Sequence, residues 1–486
     1  MEVWLEMSNE NIFRVPSELV KRHYNENSDL PNYRTEFMRD RDRLMYATAF
    51  RRLTGKTQIY TVGGDDHRKN RLTHTLEVAQ IARTIASALD FDTDLAEAIA
   101  LGHDFGHTPF GHAGERMLHD IMVPDSKYVK GSPFYHRNAD EIKQEFERED
   151  AEHVNFTTRA YGFKHNLQSV RVAALLEDSY RNGDGKNIGL NLTNFTLYGM
   201  MIHSKTHYND NDFYPNYQDE FKAQMSIEPS GSEAWSFEAF IVHWADDIAQ
   251  WHHDLEDALR EGVLPLKTIC DTIQKSLANR LSDLEKERLS TIAGSTLIGR
   301  KCIADLSHIV VNTLVNDLVE TSAENLKILR KEFEERGQSE KKDIFINFDK
   351  FNFSVRMDNV ITVSDRINID SFKSVIKASI HHSRNVERMN EKGKYIIRKL
   401  FEAYYTHPQQ LPDGPILHLL TEINDPIYAN IDKAKESGIG TARVKFDKIM
   451  ENPTIFTKCL LMRRICDHIA SMTDHYAIEE YNNLYG

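Results

Sequence analysis

Apolar residues recur every three to four positions along most of the chain, which is the spacing of one face of an amphipathic α-helix. The pattern is clearest over 71–90, where a single stripe is formed by Leu76, Ala79, Ala82, Ile85, Ala86 and Leu89. The same periodicity predicts further helices over 233–260, 264–289, 301–320, 322–337, 371–406 and 455–483. We therefore expect a predominantly helical protein.

A shorter helix is predicted over 94–103, just after the first one. Asp94 is its expected N-cap, and Glu97 follows three positions later in the arrangement of a capping box. Gly106 and Pro109 then interrupt the pattern, and the next helix is expected to begin soon after the proline. The pattern thus predicts two helices joined by a bend.

Three stretches depart from helical periodicity. Residues 182–194 are rich in glycine and asparagine and predict a loop, and the polar, proline-containing stretch 204–232 predicts a surface excursion or lid. Across 343–357 apolar residues alternate on both sides of a short turn, which predicts a β-hairpin. No linker divides the chain cleanly. We predict one all-α unit over 1–486 that carries this single small hairpin.

The composition is that of a globular protein, with 40% hydrophobic and 28% charged residues among 486. No apolar run is long enough to predict a transmembrane helix. The start, MEVWLEMSNENIF, has neither the basic flank nor the apolar core of a signal peptide. The cysteines lack the C-x-x-C spacing of a zinc or redox motif; they are Cys270, Cys302, Cys459 and Cys466. These features predict a cytoplasmic protein without a membrane partner.

The net charge of −14 disfavours an extended nucleic-acid surface, which needs clustered lysine and arginine. Basic residues nevertheless gather near the N-terminus, at Arg34, Arg39, Arg41, Arg43, Arg51, Arg52 and Lys56. Acidic residues are interleaved with them, at Glu36, Asp40 and Asp42. On charge alone a salt-bridged surface helix is the simplest interpretation, and a small basic pocket for one polyphosphate stays open.

Three separated pieces of the sequence carry side chains that suit a metal ion. His74 lies near the start of one predicted helix, and His103 and Asp104 end the next. Asp246 lies in the middle of the predicted helix 233–260. Each piece alone is weak, because a lone histidine is more often packed or solvated and an HD dipeptide often occurs by chance. Jointly they form a nitrogen and oxygen set that suits a divalent first-row metal with open positions.

Two further patterns lie close to that set. His112 and Glu115 are three residues apart on a predicted helix and share a face, so the glutamate is expected to orient the imidazole for proton transfer. Asp246, Gln250 and Asp254 form a stripe at i, i+4 and i+8. A solvated helix face is the simplest explanation of the stripe. Its apolar surroundings favour instead a buried helix whose carboxylates need a metal or a ligand hydroxyl.

These pieces together resemble the HD-domain deoxynucleoside triphosphate triphosphohydrolases, of which bacterial dGTPase is the type. The matching segments occur in the family's order over nearly the whole chain: YRTEFMRDRDRLMYATAFRRLTGKTQIY (33–60), NRLTHTLEV (70–78), LGHDFGHTPFGHAGE (101–115), GFKHNLQSVR (162–171), WADDIAQWHHDLED (244–257) and CDHIASMTDHYA (466–477). The HD dipeptide alone would indicate only the wider phosphohydrolase superfamily. The resemblance implies an all-α fold with an HD core over about 34–260 and a helical C-terminal part over 261–486.

The resemblance implies a role for each matching residue. A divalent metal, with Mn²⁺ or Mg²⁺ expected ahead of Fe²⁺, Co²⁺ or Ni²⁺, would be ligated by His74, His103, Asp104 and Asp246. His112 would be the catalytic histidine, and Glu115 the acid that supports it. The phosphates would be contacted by Arg71, His107 and His165. The sugar 3′-hydroxyl would be contacted by Gln58 and Asp254.

Two positions depart from the family pattern. The family usually has a tyrosine where this chain has Gln250, and that tyrosine is expected to pack against the sugar and help to exclude a 2′-hydroxyl. Gln250 cannot supply the same flat apolar wall, so strictness for deoxyribose and the identity of the base both stay open. Lys205 is the candidate for another phosphate contact. Its surroundings, IHSKTHY, differ from the family's Lys-Tyr-Pro pattern, and His203 could take that place instead.

The implied activity is metal-dependent hydrolysis of dGTP, or of dNTPs more widely, to the deoxynucleoside and inorganic triphosphate in control of the dNTP pool. Relatives form oligomers, so we expect a homo-oligomer, a hexamer in particular. The sequence leaves open whether His112 acts as acid or base, and whether a dNTP or single-stranded DNA acts as an effector.

Two other functions are compatible with an HD dipeptide. One is an HD phosphohydrolase for monophosphates, cyclic nucleotides or guanosine polyphosphates, and the KTQ and RLTH segments count against it. The other is a regulatory protein that binds nucleotides or single-stranded DNA. The complete ligand set and the intact His112 and Glu115 count against that reading, as does the acidic net charge.

Overall fold

A computed structural model describes most of the chain. The described residues are 11–26, 33–58, 69–151, 161–183, 185, 187–202, 236–295, 299–336, 353–355, 357–423 and 438–486. The lid expected over 204–232 lies outside them, and so does most of the hairpin expected over 343–357. Within them the regular elements are helices, and β-pairing is confined to isolated bridges such as that of Arg22 with Thr193. The all-α prediction is confirmed.

The helices before residue 261 are α1 (Glu36–Tyr46), α2 (Thr48–Arg52), α3 (Arg71–Ala88), α4 (Thr93–Gly102), α5 (Gly111–Ile121), α6 (Ala139–Glu149), α7 (His165–Arg171), α8 (Asn194–Ile202) and α9 (Phe237–Arg260). Those after it are α10 (Leu266–Leu277), α11 (Asp283–Ala293), α12 (Arg300–Glu335), α13 (Met357–Val360), α14 (Ile369–Phe372), α15 (Ala378–His381), α16 (Arg384–Thr406), α17 (Asp413–Glu422), α18 (Ile439–Glu451), α19 (Ile455–Ser471) and α20 (Asp474–Tyr485). Short 3₁₀ turns cover Ser17–Leu19, Leu53–Gly55 and Pro408–Gln410, and π-helical turns cover Val172–Leu176 and Lys373–Lys377.

Helix ends differ from the predicted ones where a side chain caps the backbone. α4 begins at Thr93 because the Asp92 carboxylate accepts hydrogen bonds from the N–H groups of Asp94 and Leu95, so the predicted cap Asp94 is wrong. The predicted helix 264–289 is two helices, since Ser282 caps α11 in a capping box. Apolar periodicity locates a buried face, whereas capping side chains decide where the helix on that face starts.

The same cause divides two other predicted helices. Ser383 and Thr473 each accept a hydrogen bond from the backbone N–H three residues later, and they start α16 and α20 inside the ranges 371–406 and 455–483. Each stripe therefore continues across a break in the backbone.

The long helix α12 is continuous where two helices, 301–320 and 322–337, were predicted. Among the helices that the structure describes, it alone is long and apolar enough to cross a membrane by length and composition, and 56% of its apolar window is buried inside the protein. Its residues Leu318 and Leu329 belong to the hydrophobic core. α12 therefore has the packing of a core helix.

Buried side chains form two hydrophobic cores. The first joins α3, α4, α9 and α12, and includes Val78, Leu95 and Ile248. The second joins α5 and α6 to α16, α17 and α19, and includes Leu118 and Phe401. Because α4 packs in the first core and α5 in the second, the bend between them passes from one core to the other. The proposed division of the chain near residue 260 stays a prediction.

The basic segment near the N-terminus forms the ion pairs expected of a salt-bridged helix. Arg34 pairs with Asp42 at 2.8 Å and Arg41 pairs with Asp94 at 3.1 Å. Asp40 faces inward, where Arg22 Nη1 lies 2.6 Å from its carboxylate. The arginines of α1 are thus held by carboxylates, in agreement with the simplest interpretation of their charge.

Candidate metal and proton-transfer site

Helices α3, α4 and α9 bring together His74, His103 and Asp246, which we call the ligand cluster. One ligand atom from each of the three lies within 4.8 Å of the other two. His74 lies in the first turn of α3, whose start is fixed by the side chain of Asn70 in a capping box. His103 directly follows α4, and Asp246 lies near the middle of α9. Three predicted ligands that are distant in sequence are therefore adjacent in space.

The donor atoms of the ligand cluster fit a divalent metal. His103 Nδ1 donates to Ala100 O at 2.6 Å, which leaves a lone pair on Nε2. That nitrogen lies 3.3 Å from Asp104 Oδ1 and 3.9 Å from Asp246 Oδ1, and electron-rich atoms this close are stabilised by a cation between them. His74 Nε2 lies 2.8 Å from Asp246 Oδ1. Imidazole nitrogens and a carboxylate are the ligands that a divalent first-row metal prefers.

The electrostatics of Asp246 agree with this fit. Burial raises the pKa of Asp246, but the hydrogen bond with His74 and further interactions with His74 and His103 hold that pKa well below its usual range. The carboxylate is therefore ionised and available to a cation. His74 Nδ1 is buried and has no hydrogen-bond partner within the described ranges.

Asp104, the fourth predicted ligand, lies at the edge of the ligand cluster. Its Oδ2 accepts from Arg71 Nη1 at 2.8 Å, and its Oδ1 lies 3.1 Å from His107 Nε2. Burial raises the pKa of Asp104, but its interactions with His103, His107 and Arg71 hold that pKa well below its usual range. Asp104 therefore links the ligand cluster to two of the predicted phosphate-binding residues.

A second group, which we call the histidine–glutamate cluster, contains His107, His112, Glu115 and His165. One ligand atom from each of the four lies within 4.8 Å of the others. Glu115 Oε2 is 3.0 Å from His112 Nδ1 and 3.0 Å from His165 Nδ1. The rings of His107 and His165 stack with their centroids 3.8 Å apart. The His112 side chain is 57% exposed and that of Glu115 is 8% exposed, so a ligand from solvent meets His112 first.

The histidine loop, residues 103–110, places His107 in that cluster by packing tightly on α7. The N–H of Gly106 donates to Ser169 Oγ at 2.9 Å. A Cβ at Gly106 would lie 2.1 Å from the carbonyl oxygen of His165, so only glycine allows this approach. The contact brings His107 and His165 into the stacked arrangement.

The far end of the histidine loop is held by α20. Phe110 has a φ of 62° and Gly111 a φ of 57°, both in the left-handed region that non-glycine residues rarely adopt. The Asp474 carboxylate accepts from Phe110 N at 2.9 Å and from Thr57 N at 3.1 Å. These bonds fix the turn from which α5, with His112 and Glu115, begins.

The histidine–glutamate cluster contains one carboxylate and two neutral imidazoles at neutral pH. Burial lowers the pKa of His107 well below its usual value, and Arg71 adds to the effect. Burial also lowers the pKa of His165, although Glu115 partly opposes it. Burial raises the pKa of Glu115, but His165 and His112 hold it well below its usual range. An ionised Glu115 can therefore orient His112 and stabilise its protonated form.

The predicted sugar-binding residues form a hydrogen-bonded chain beside the ligand cluster. Gln58 Nε2 donates to Gln250 Oε1 at 2.7 Å, and Gln250 Nε2 donates to Asp254 Oδ1 at 2.9 Å. Gln58 Oε1 is buried and accepts no hydrogen bond from the part of the chain that the structure describes. Gln250 lies one turn after Asp246 on α9, and Asp254 lies two turns after it. The hydrogen-bonded row of side chains therefore lies next to the ligand cluster.

The site also contains residues to which the sequence assigned no role. Lys164 Nζ lies 3.2 Å from Glu115 Oε1, and the Asp474 carboxylate holds the turn before α5. Lys56 is buried and donates to the carbonyl groups of His107 and of Ala470, and burial lowers its pKa to about 7. Lys164 directly precedes His165 in the sequence, and this position was the only signal that could have assigned it to the site. Lys56 and Asp474 lie within the matched segments 33–60 and 466–477, but no role was assigned to either residue.

A third group of metal-binding residue types, Glu77, His252 and His253, lies beside the ligand cluster. The His253 and His74 ring centroids are 5.1 Å apart, and His253 Nε2 contacts Glu77 Oε2. Glu77 lies three residues after His74 in the sequence, and this spacing was the signal that could have predicted the third group. The predicted phosphate contact Lys205 and its alternative His203 lie outside the described residues.

Two family matches cover parts of the chain. The HD domain matches residues 71–154, a range that contains His74, His103, Asp104, His112 and Glu115. The phosphohydrolase-associated domain matches residues 361–417 and 456–483. The second match includes most of α19 and most of α20, whose Asp474 holds the histidine loop.

Whole-chain relatives are also found. A deoxyguanosinetriphosphate triphosphohydrolase-like protein of Bartonella henselae is 32% identical over 93% of this chain and 90% of its own length. Proteins with the same description from Brucella suis and Bartonella quintana are 30% and 32% identical, each over 93% of this chain and 90% of their own length. The similarity therefore extends over nearly the whole chain.

Proposed function

Since this chain is an HD-domain phosphohydrolase of the deoxyguanosinetriphosphate triphosphohydrolase-like family, we propose that it hydrolyses dGTP, or dNTPs more widely, to the deoxynucleoside and inorganic triphosphate. The observation that carries the proposal is the junction of the ligand cluster with the histidine–glutamate cluster. Asp104 contacts both Arg71 and His107, so the candidate metal ligands, the candidate phosphate-binding arginine and the candidate proton-transfer pair are connected through one carboxylate.

Arg71 and the histidines would hold the polyphosphate. Arg71 is buried and anchored by Asp104, and its Nε has no hydrogen-bond partner among the residues described, so the guanidinium keeps donor capacity for a phosphate oxygen. His107 and His165 lie beside each other as a stacked pair, with ring centroids 3.8 Å apart. A divalent metal held by His74, His103, Asp104 and Asp246 would supply Lewis-acid polarisation and orientation of the α-phosphate.

His112 would move the proton. Its Nδ1 is held by Glu115 at 3.0 Å, which leaves Nε2 to exchange a proton with the substrate or with water. Water attacks the α-phosphorus, the bond to the 5′-oxygen breaks, and the deoxynucleoside leaves with that oxygen. His112 either accepts the proton of the attacking water or donates one to the departing 5′-oxygen, and Glu115 stabilises the imidazolium form in both cases.

Product analysis in ¹⁸O-labelled water tests this reaction. Each dNTP and NTP is incubated with Mn²⁺ or Mg²⁺, and the products are resolved by chromatography and mass spectrometry. We expect the deoxynucleoside and intact triphosphate, with ¹⁸O in the triphosphate because water attacks phosphorus. Release of pyrophosphate or orthophosphate, or ¹⁸O in the nucleoside 5′-hydroxyl, would exclude the proposed cleavage. Turnover of monophosphates, cyclic nucleotides or guanosine polyphosphates alone would favour another phosphohydrolase activity.

Replacing Gln250 with tyrosine is expected to sharpen discrimination against ribonucleotides. Gln250 gives the sugar side of the site a polar amide, held between Gln58 and Asp254, where a tyrosine ring would present a flat wall. We expect the ratio of kcat/KM for dGTP over GTP to rise roughly 10–100-fold, the range for shape discrimination in a pocket. Gln250→Leu is the control, because it removes the amide without adding the ring. An unchanged ratio in Gln250→Tyr would show that this position does not read the sugar.

Assembly, location and effectors are also proposed from the family. We propose a cytoplasmic homo-oligomer, a hexamer in particular, with single-stranded DNA as a candidate effector. Sedimentation velocity of the purified chain measures the assembly. Turnover with and without an oligonucleotide tests the effector, and an unchanged rate would exclude it.

A further inference from the structure

We propose that His107, His112, Glu115 and His165 form a second cation site, suited to Zn²⁺, whose occupation switches off proton transfer by His112. The binding of zinc follows from the geometry alone. The inhibition rests on the proposed function, since it requires that His112 transfers a proton during turnover.

The four side chains supply a complete zinc ligand set. Zinc is usually bound by four nitrogen, sulfur or oxygen ligands in a tetrahedron, and three imidazoles with one carboxylate form such a set. Their ligand atoms already lie within 4.8 Å of one another. Glu115 Oε2 is 3.0 Å from both His112 Nδ1 and His165 Nδ1, so the carboxylate lies between two of the rings.

The cluster is rigid on one side and open on the other. His107 is held by the histidine loop, Glu115 by α5 and His165 by α7, and all three are buried. His107 Nδ1 is buried without a hydrogen-bond partner among the described residues. His112, at 57% exposure, closes the fourth side and leaves a path for an ion from solvent. Three buried ligands and one exposed ligand allow an ion to enter from solvent and to leave again.

The charges of the cluster permit a cation. Glu115 supplies the negative charge of the cluster, and its Oε2 lies 3.0 Å from both His112 Nδ1 and His165 Nδ1. Lys164 opposes a cation, because its Nζ lies 3.2 Å from Glu115 Oε1. Lys164 contacts Glu115 Oε1, whereas Oε2 is the oxygen that faces His112 and His165. The Lys164 side chain is 32% exposed, so it can turn into solvent.

The neighbouring group of Glu77, His252 and His253 offers similar ligands but already holds a cation. Lys69 Nζ lies 3.0 Å from Glu77 Oε1 and 3.4 Å from Glu256 Oε2, and it lies 3.5 Å from His252 Nδ1. Burial lowers the pKa of His252, but its hydrogen bonds with Glu256 and Glu77 outweigh burial, and the pKa is raised above its usual value. The ring of His252 therefore tends to carry a proton. A metal would have to displace both the ammonium and the proton. In the histidine–glutamate cluster the ammonium of Lys164 contacts Glu115 Oε1, and the other oxygen, Oε2, faces the two rings.

Occupation of the second site would leave the ligand cluster intact. Asp104 Oδ1 lies 3.3 Å from His103 Nε2 and 3.1 Å from His107 Nε2, so one carboxylate oxygen separates the two clusters. A zinc ion bound to His112 occupies the single lone pair of the neutral ring, so the ring cannot form the imidazolium that the proposed proton transfer requires. We therefore expect Zn²⁺ to lower kcat about 10²–10⁴-fold at saturating Mn²⁺, the usual contribution of general acid–base catalysis.

Zinc stoichiometry of the purified full chain tests the site without any turnover. After equilibrium dialysis, elemental analysis is expected to find two Zn²⁺ per wild-type chain. His74→Ala/Asp246→Ala should keep one Zn²⁺, in the second site, and His112→Ala/His165→Ala should also keep one, in the ligand cluster. His252→Ala is the matched control and should keep two. One Zn²⁺ in the wild type, or two in His112→Ala/His165→Ala, would overturn the proposal.

Cobalt absorption checks the geometry of the same site. Co²⁺ bound to His74→Ala/Asp246→Ala should give the strong visible bands of a tetrahedral site, and the further change His112→Ala should reduce them. Weak octahedral bands that do not respond to His112→Ala would overturn the assignment. Circular dichroism establishes that each variant is folded. If a change at the buried His165 impairs folding, the single variant His112→Ala still tests the site, because it changes an exposed side chain.

Activity then separates this inference from the proposed function. Zn²⁺ is titrated against turnover at saturating Mn²⁺, and bound Mn²⁺ is measured in parallel. A loss of rate with one Mn²⁺ retained supports the second site, whereas a loss that follows Mn²⁺ release overturns the inhibition. A chain that binds two Zn²⁺ and hydrolyses no nucleotide would refute the proposed function alone. A chain that hydrolyses dNTPs and binds one Zn²⁺ would refute the second site alone.

Discussion

The variant His112→Ala is expected to lose about 10²–10⁴-fold in turnover while it keeps the metal of the ligand cluster. That loss corresponds to roughly 3–5 kcal/mol of transition-state stabilisation. The physical reason is that His112 contacts Glu115 at 3.0 Å but lies outside the ligand cluster, so its removal abolishes proton transfer without removing a metal ligand. The measurement is kcat on the best dNTP, together with the Mn²⁺ content of the same sample.

Two further variants sharpen this result. His382→Ala changes an exposed histidine that lies 3.9 Å from Glu387, a histidine–glutamate pair on the surface, and it should leave kcat unchanged. Glu115→Gln should lower kcat less than His112→Ala, because the amide still bonds the ring but cannot stabilise its charge. Turnover that survives in His112→Ala while the Mn²⁺ content falls would mean that His112 is a ligand and not the proton-transfer residue.

The second large effect is expected for Asp246→Ala, which should lose both metal and turnover. Asp246 is ionised, and its Oδ1 lies 2.8 Å from His74 Nε2, so its removal takes the single carboxylate out of the ligand cluster. Metal ions contribute several kcal/mol to phosphoryl chemistry, so kcat should fall on the order of 10³-fold or more. Elemental analysis and kcat measured over a range of Mn²⁺ concentrations provide the readout.

Asp247→Ala is the matched control for this change. Asp247 is the next residue of α9, but its carboxylate lies 3.4 Å from Lys373 Nζ, away from the ligand cluster. The two variants therefore remove the same side chain from adjacent positions of one helix. We expect Asp247→Ala to keep its metal and its rate. Equal losses in both variants would indicate damage to α9 in general and would argue against Asp246 as a ligand.

The fold was largely predictable because helical periodicity is a local signal. The stripe predicted over 71–90 is buried at Ala79, Ala82, Ile85, Ala86 and Leu89, whereas its first residue, Leu76, is 48% exposed. Helix α5 begins at Gly111, soon after Pro109 as expected. Helix ends were less predictable, because Asp92 and Asp94 are equally good caps by residue type, and only the chain geometry selects Asp92. The continuity of α12 was missed for the same reason: a polar residue within a stripe is compatible with either a helix end or an uninterrupted helix.

The chemistry of the site was predictable in its residue types and less so in its contacts. The sequence pointed to His74, His103 and Asp246 as ligands, and α3, α4 and α9 bring their donor atoms within 4.8 Å of one another. It placed Asp104 in the same set, but only the structure reveals that this carboxylate is also bound by Arg71 and His107. Such sharing depends on the angle between α3 and the histidine loop, which no local pattern encodes.

By itself, the sequence determined that the chain is helical, which side chains are available for metal binding and proton transfer, and in which helices they lie. These properties depend on residue identity and on contacts between near neighbours in the chain. Only the tertiary structure decided that His107 and His165 stack to complete the histidine–glutamate cluster, that α20 holds the start of α5 through Asp474, and that Lys69 neutralises Glu77. Each of these depends on distances between segments far apart in the chain, which packing of the two hydrophobic cores sets.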